Sequence, residues 1–513
     1  MGAGTLASRL LGLGRDMALA AIFTREETDA FFVAFTLPNL LRQLLGEGAV
    51  TGALVPVLSE KLAREGEGPA QAFFARARGL SIVALTLVTA LGMVFARPLC
   101  NLFAPGYHAN EAEFERTVAL TRAVFPYIFF MGTAALGMAA LNAKRKFAVA
   151  AFTPMLLNIA VLLAAFTLPA VLVAHGYDRA YAMVAGALLG GFLQVIAQWP
   201  ALRRIGFFGW PAFDLKDRGV RQVLRRMAPI TFGIGIYYID LMLSRRFLSE
   251  LGTGAQSYFS WAMRVCDFPQ GIFVMALSTA ALPTLSTLAA KGDLVELGKT
   301  YAHGLRLALF VAIPASVALV TIGEPLVAML FQRGQFGAVA AHETALALAW
   351  QGGAIWTVAV VRQTVPAFHS MGDTRTPVIV SAIDLCAFIG LALWLRGPMG
   401  HVGISVAVAG SSAVQMALLV VALKRRLPDL RSDDMLSSAS KTLAASLAGG
   451  AAGWFLARLA RAGLGDGAVG RAAAGIAAGG AFLVAFAVVA KLVGSKELGG
   501  LVRDVRKKLR GRA

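Results

Sequence analysis

The chain has 513 residues, of which 57% are hydrophobic and 15% charged, and its mean hydropathy is +0.68. Apolar runs of roughly 20 residues recur along nearly the whole length, which excludes an ordinary soluble protein and indicates a polytopic helical membrane protein. The net charge of +19 does not favour nucleic-acid binding, because most basic residues lie in short connections where they set topology and meet anionic headgroups. Cys100, Cys266 and Cys386 are far apart in apolar surroundings, so we expect buried free thiols instead of a disulfide or a metal site.

The apolar runs predict an all-α protein with fourteen transmembrane helices. Basic connections alternate with short or acidic ones, as at Lys144-Arg145-Lys146 and Lys424-Arg425-Arg426. By the positive-inside rule the basic connections and both termini lie in the cytoplasm. The predicted spans are residues 2–23, 29–60, 79–104, 117–141, 147–172, 180–202, 221–248, 255–288, 301–323, 340–369, 376–396, 401–423, 438–460 and 468–492.

A proline pattern recurs six spans apart. Leu37-Pro38 precedes Pro56 in the second span, and Phe268-Pro269 precedes Pro283 in the eighth. The alternative is chance recurrence among proline-marked membrane helices. We expect two six-helix pseudo-repeat lobes around a central cavity plus two extra C-terminal helices. The N-lobe is predicted at 1–215, the C-lobe at 216–428, the extra helices at 429–493 and a basic cytoplasmic tail at 494–513.

Four arginines lie inside predicted spans, at Arg9, Arg15, Arg42 and Arg264. A guanidinium at mid-membrane costs about 2.5–3.5 kcal/mol on translocon scales, and it cannot be neutralised. The four arginines therefore favour a transporter of an anionic substrate, with snorkelling to an interface as the alternative.

Polar neighbours accompany these arginines. Asn39, Gln43 and Glu47 recur at i, i+4 and i+8 and predict a polar stripe beside Arg42. Arg264 and Asp267 are i, i+3 neighbours, so a simple structural salt bridge is the alternative to a binding role there.

Several segments resemble the MurJ (MviN) family of lipid II flippases, within the multidrug/oligosaccharidyl-lipid/polysaccharide exporter superfamily. The resemblance covers the first twelve spans. Its residues are Ser8-Arg9-Leu10-Leu11-Gly12-Leu13-Gly14-Arg15-Asp16, Thr28-Asp29-Ala30-Phe31-Phe32, Leu37-Pro38-Asn39-Leu40-Leu41-Arg42, Glu47-Gly48-Ala49, Phe125-Pro126-Tyr127, Thr153-Pro154-Met155-Leu156-Leu157-Asn158, Leu330-Phe331-Gln332-Arg333-Gly334 and Thr376-Pro377.

The resemblance implies a multi-pass protein of the bacterial inner membrane, not an enzyme. It would move lipid II, the undecaprenyl-pyrophosphate-linked disaccharide-peptide used for cell-wall synthesis, to the periplasmic leaflet by alternating access. It implies a monomer that contacts membrane lipids and no nucleic acid, without a cofactor but with coupling to sodium or the membrane potential. The resemblance implies a cationic substrate cavity lined by Arg9, Arg15, Arg42 and Arg264, with the acidic partners Asp16, Asp29 and Glu47. The helical spacing described above adds Asn39 and Asp267 to the candidate substrate-binding residues, and the resemblance gives Asp240 as the sodium ligand.

The chain departs from the family pattern at Thr36, Gln43 and Met263, where charged residues are common, and at Phe388, where an asparagine is common. A contact of Asp240 with Ser244 or Arg245 is therefore the alternative to a sodium site. Two other transporters remain open: a flippase for another polyprenyl-pyrophosphate oligosaccharide, and a multidrug or organic cation exporter. A membrane enzyme acting on the same lipid would need paired carboxylates with a metal or general base, and no such cluster is evident in the sequence.

The two extra helices are rich in small residues. Gly449-Gly450-Ala451-Ala452-Gly453 and Gly475-Ile476-Ala477-Ala478-Gly479-Gly480 predict a groove for the long lipid tail. The alternative is that these glycines only pack the two helices against each other.

Overall fold

The computed structural model describes residues 2–42, 50–214, 216–271, 275–427 and 432–499. These ranges contain helices and connections but no strand, which confirms the predicted all-α class. The helices are α1 Gly2–Ile22, α2 Arg25–Arg42, α3 Thr51–Arg64, α4 Glu67–Val94, α5 Ala96–Phe103, α6 Glu111–Val124, α7 Tyr127–Ala143, α8 Phe147–Ala174, α9 Tyr181–Arg204, α10 Arg218–Ser249, α11 Ala255–Pro269, α12 Met275–Ala290, α13 Leu294–Thr321, α14 Gly323–Phe331, α15 Ala338–Gly353, α16 Ile355–Ser370, α17 Arg375–Arg426, α18 Ser432–Leu464 and α19 Ala468–Leu492.

Where the structure describes it, each predicted span coincides with helix. The second span contains α2 and α3, and the eighth contains α11 and α12, and each of these four helices includes a proline. Residues 43–49 of the second span and 272–274 of the eighth lie outside the described residues. The proline pattern that the sequence repeats is thus carried by corresponding pairs of helices.

The predicted eleventh and twelfth spans form one continuous element. α17 has 52 residues, about 78 Å at 1.5 Å per residue, which is too long for a single crossing. Gly400 interrupts it with φ 55° and ψ −136°, a backbone conformation available chiefly to glycine. Residues 375–399 and 401–426 are thus two spans joined at one residue, where the sequence had predicted a short connection.

Nine helical segments of the described ranges are long and apolar enough to cross a membrane, and one of them, α17, is long enough for two crossings. The other four predicted spans, at 2–23, 29–60, 221–248 and 255–288, carry intramembrane charges, and the spans at 29–60 and 255–288 are described only in part. The count of fourteen stays a prediction. The nine segments are Glu67–Val94, Glu111–Ala143, Phe152–Ala174, Tyr181–Arg204, Leu294–Thr321, Ala338–Ser370, Arg375–Arg426, Asp434–Leu464 and Ala468–Leu492.

The chain divides into two compact units, residues 1–257 and 258–513. In unit 1, Leu54 of α3 and Phe73 of α4 belong to one buried apolar cluster with Phe207. In unit 2, Leu297 of α13 and Phe368 of α16 belong to another. Apolar burial inside each unit fixes its helices against one another, so the polar side chains described next are held on a packed framework.

The cysteine prediction is confirmed in part. Cys100 and Cys266 are buried free thiols, whereas Cys386 is a free thiol that is exposed. The prediction was wrong for Cys386 because an apolar helix of a membrane protein also exposes residues to lipid, and sequence context does not separate that face from the interior.

Candidate functional site

Arg15 is held by two partners inside unit 1. Its Nε and one Nη donate to a single oxygen of Asp16, at 2.9 and 2.7 Å. The other Nη donates to the side-chain oxygen of Asn158 at 3.0 Å. A guanidinium has five N–H donors, so in the described part of the chain these three bonds leave one donor on each terminal nitrogen. The Arg15 side chain keeps 17% of its surface exposed, and a fixed, charged, partly exposed pair of donors suits an anion.

Asn158 was not among the predicted site residues. It lies in α8, 93% buried, and its amide nitrogen donates to the carbonyl of Ser8 at 3.0 Å. A Cβ on Gly12 would be in ordinary contact with this amide, at 3.6 Å, so α1 lies directly against Asn158. The sequence signal was a lone amide in an otherwise apolar span, but its contact with Arg15 depends on how α1 and α8 pack.

The remaining predicted residues of α1 and α2 are only partly brought together. Arg9 is half-buried on α1, six residues before Arg15, so the two arginines point about 120° apart around the helix. In α2, the Nε of Arg42 donates to the Asn39 side-chain oxygen at 3.0 Å. Gln43 and Glu47, the rest of the predicted stripe, lie outside the described residues.

Asp29 is fully buried, and its carboxylate caps the start of α11. It accepts hydrogen bonds from the main-chain N–H of Gly254 at 2.5 Å and of Ser257 at 2.7 Å, and from the Ser257 hydroxyl. Main-chain donors at a helix start have no intrahelical partner, so a carboxylate stabilises them well. In this structure Asp29 therefore links α2 to the turn between α10 and α11.

In unit 2, Arg264 forms an ion pair with Asp267 one turn later on α11. The nitrogen and oxygen are 3.8 Å apart, which is too long for a hydrogen bond. The side chains are 36% and 55% exposed, respectively, and such partly exposed pairs contribute little stability. The predicted pairing is present but loose, so it leaves the guanidinium able to exchange partners.

The environment of Asp240 offers few metal ligands. The Ser244 hydroxyl donates to the main-chain carbonyl of Asp240 at 3.0 Å, while Arg245 donates to Gln256. No group of three or more histidine, cysteine or acidic residues in the described ranges is arranged to hold a metal ion. Phe388 is fully buried. Among the described residues, a sodium ion at Asp240 would therefore take its further ligands from hydroxyl, amide or main-chain oxygens.

An apolar cavity of about 770 Å³ lies in unit 2 between α13, α16, α17 and α18. Its wall includes Leu309, Trp356, Met416 and Leu443, and Lys424 stands among these apolar residues. The cavity is thus an apolar channel with one cationic residue, which suits a hydrocarbon chain attached to an anionic group.

The predicted glycine runs lie elsewhere on α18 and α19. A Cβ on Gly450 would be 2.8 Å from the Thr321 side chain, and one on Gly453 would be 2.7 Å from the Ala478 carbonyl. These glycines allow close helix contacts, as the packing alternative predicts. Gly479 and Gly480 have open space around them. None of these glycines lines the cavity, whose α18 wall begins earlier, at Met435.

Comparisons with known proteins agree with this architecture. Residues 19–466 match the family described as "Lipid II flippase MurJ". The "Lipid II flippase MurJ" of Burkholderia cenocepacia is 33% identical over 429 residues, 82% of this chain and 82% of that protein. The solved structure of "Lipid II flippase MurJ, inward closed conformation" matches with a TM-score of 0.76 at 21% identity, covering 94% of this chain and 97% of that one.

An inward-facing multidrug resistance MATE family transporter of the MOP superfamily shares the fold, with a TM-score of 0.68 at 13% identity over 83% of this chain and 96% of that one. Fold likeness at such identity carries no substrate information. The family match over residues 19–466 and the 33% identical relative from B. cenocepacia do show the family. The chain belongs to the lipid II flippase MurJ family.

Proposed function

We propose that this chain moves lipid II from the cytoplasmic to the periplasmic leaflet of the bacterial inner membrane. The observation that supports it most directly is Arg15, a guanidinium on a membrane helix with two fixed partners and one donor left on each terminal nitrogen. The pyrophosphate of lipid II presents several anionic oxygens to such donors. Asp16 neutralises Arg15 before the substrate arrives, which lowers the cost of keeping the cation in the membrane.

Arginine suits this role better than lysine. Its planar fork donates parallel hydrogen bonds to phosphate, and its charge cannot be lost by deprotonation. Arg9, Arg42 and Arg264 are proposed to contribute to substrate binding through the same chemistry. Asp16, Asn39 and Asp267 then act by holding these guanidinium groups, since each is in contact with one of them.

The test of this function is a depletion experiment in the native cell. Lipid II should accumulate in the cytoplasmic leaflet when the protein is depleted, and wild-type protein should restore its transfer. Alanine at Arg15, Arg42 or Arg264 should abolish rescue at normal abundance, while lysine should rescue poorly. Full rescue by all three alanine variants would contradict the proposal.

The polyprenyl tail is proposed to lie in the apolar cavity of unit 2. Ala439 is part of its wall, so Ala439→Phe should block transport while a tail-less headgroup analogue still binds. Ala444 is exposed elsewhere on the same helix, and Ala444→Phe is the matched control. Equal transport by both variants would exclude this cavity as the tail site.

Both termini are proposed to be cytoplasmic, because basic connections favour that side. Glu111 and Lys291 are exposed and lie in connections of opposite predicted side. In a background without native cysteines, Glu111→Cys should react with an impermeant thiol reagent added outside, and Lys291→Cys should not. Reversed labelling would overturn the orientation.

Coupling to sodium or to the membrane potential is proposed as the energy source, with Asp240 as the sodium ligand. Transport into vesicles measured with and without a sodium gradient tests it. Asp240→Asn should remove any sodium stimulation, and stimulation that survives in this variant would exclude Asp240.

A further inference from the structure

The first turns of α10 have one basic and one apolar face. Arg218, Arg221 and Arg225 recur at i, i+3 and i+7 and are exposed, so they form one stripe along the helix. Val220 and Val223, which lie between these arginines in sequence, are buried in the apolar cluster that includes Leu54 and Phe73. The side chains of Arg218 and Arg225 form no hydrogen bond or ion pair with the part of the chain that the structure describes. The guanidinium donors of these two arginines are therefore available on a cationic surface.

A second apolar cavity, of about 180 Å³, opens beside this stripe between α3, α4, α7 and α10. The α10 wall is formed by Val220, Val223, Leu224 and Met227, which alternate in sequence with the arginines. Along α4 the wall runs from Ala77 to Val88, about 16 Å at 1.5 Å per residue. The cavity is thus long, narrow and apolar.

The connection between α9 and α10 fixes which end of the cavity the arginines occupy. The Ala212 N–H donates to the Ala75 carbonyl at 3.0 Å, and Arg76 pairs with Asp217 at 2.6 Å. A Cβ on Gly79 would overlap the main chain of Ala212, so this close approach requires glycine. The start of α10 is thereby held next to the residues of α4 that begin the cavity wall.

The same connection displays two large aromatic side chains. Trp210 is 93% exposed and Phe213 is 58% exposed, although the backbone between them is held against α4. Tryptophan and other aromatic residues with an exposed face are typical of the headgroup level of a membrane. The aromatic pair therefore marks this level at the end of the cavity where the arginine stripe lies.

We propose that this site binds an anionic phospholipid. The phosphate lies on the arginine stripe of α10, one acyl chain runs along α4 in the cavity, and Trp210 and Phe213 lie among the neighbouring headgroups. An apolar chain gains little by moving from the bilayer into an apolar cavity, because both surroundings are hydrocarbon. Selectivity therefore comes from the headgroup charge. None of these residues belongs to the proposed pyrophosphate site, so the two proposals can fail separately.

The headgroup is tested by titrating purified full-length protein with phosphatidylglycerol and, separately, with zwitterionic phosphatidylcholine, and counting bound lipid by native mass spectrometry. Each arginine near an anionic surface contributes about 1 kcal/mol, so Arg218→Gln with Arg225→Gln should weaken phosphatidylglycerol binding about thirtyfold. Phosphatidylcholine binding should not change. Lys291→Gln with Arg425→Gln removes equal charge from exposed positions in unit 2 and should have no effect.

The acyl chain is tested by filling the cavity. Ala84 is part of its wall, whereas the neighbouring Val83 is exposed outside it. Ala84→Phe should reduce phosphatidylglycerol binding, and the control Val83→Phe should not. Unchanged phosphatidylglycerol affinity in the arginine or the Ala84 variant would overturn the proposal, as would equal losses of both lipids. Displacement of the lipid by inorganic phosphate would indicate a free-phosphate site, and stoichiometric displacement by lipid II a substrate site; either result also overturns it.

Discussion

Asn158 offers the sharpest test of how the arginines are positioned. In Asn158→Leu the shape is nearly kept, but two hydrogen bonds of 3.0 Å are lost, one from the Arg15 guanidinium and one to the Ser8 carbonyl. Arg15 would keep only its ion pair with Asp16. Because Asp16 is the next residue in the sequence and moves with Arg15, this pair does not fix the guanidinium relative to the rest of unit 1. The guanidinium would then be free to swing about α1.

The size of the effect follows from these two bonds. A hydrogen bond to a charged group contributes about 1.5–3 kcal/mol in soluble proteins, whereas side-chain bonds between membrane helices average about 0.6 kcal/mol and reach about 1.7. We therefore expect a loss of about 1–2 kcal/mol, equivalent to a roughly five- to thirtyfold higher Kd. Asn158→Asp should weaken binding further, because a second carboxylate beside Arg15 competes with the pyrophosphate.

The assay is equilibrium binding of a soluble lipid II headgroup analogue to purified protein, with thermal unfolding measured in parallel. Gln194→Leu is the matched control, because it removes another buried amide of unit 1, whose nitrogen contacts the Met131 sulfur at 3.4 Å. The control should keep wild-type affinity. If Asn158→Leu binds the analogue as tightly as the wild type does, Arg15 does not need this partner and the reasoning fails.

Two further predictions concern packing and pH. Gly450→Trp should lower the yield of folded protein because even a Cβ is crowded at this position. Gly479→Trp should fold normally because the surroundings of Gly479 are open. Size-exclusion chromatography measures the folded yield, and similar yields of the two variants would contradict this prediction. Asp373 accepts hydrogen bonds from the N–H and hydroxyl of Thr376, which, with the nearby Arg426 guanidinium, hold the pKa of its carboxyl below the usual 3.8. Because the pKa of this carboxyl is lower in the folded state, its ionised form stabilises the fold at pH values above the pKa of the unfolded chain. This contribution is lost as the pH falls through the pKa of the folded state. Asp373→Asn should therefore lower the unfolding temperature at pH 7, by a margin that shrinks below about pH 4.

Much of the helical framework could be predicted because the bilayer imposes long apolar runs that are visible in the sequence. Residues 375–426 show the limit of such predictions. Hydropathy predicts two spans here, but only the backbone conformation of Gly400 shows that this single residue connects them. Pairs close in sequence, such as Arg264 and Asp267, could be predicted from helical spacing.

The contact between Arg15 and Asn158 could not be predicted in this way, because it depends on which faces of α1 and α8 meet. The apolar cavity of unit 2 was missed for a similar reason. Small residues mark a place where helices come close, as at Gly450, and a cavity forms where larger side chains such as Leu443 fail to meet. Amino-acid composition therefore indicates close helix contacts more readily than it indicates a cavity.

The separation between Arg15 and Asn158 has a consequence for synthesis. The two residues are 143 positions apart, so at about 5–20 residues per second the ribosome needs roughly 7–30 s to deliver the second after the first. During that time α1 is without this partner. We therefore expect α1 to reach its final packing only after α8 has been made, and a stall in translation before Asn158 should leave the N-terminal segment exposed to proteolysis.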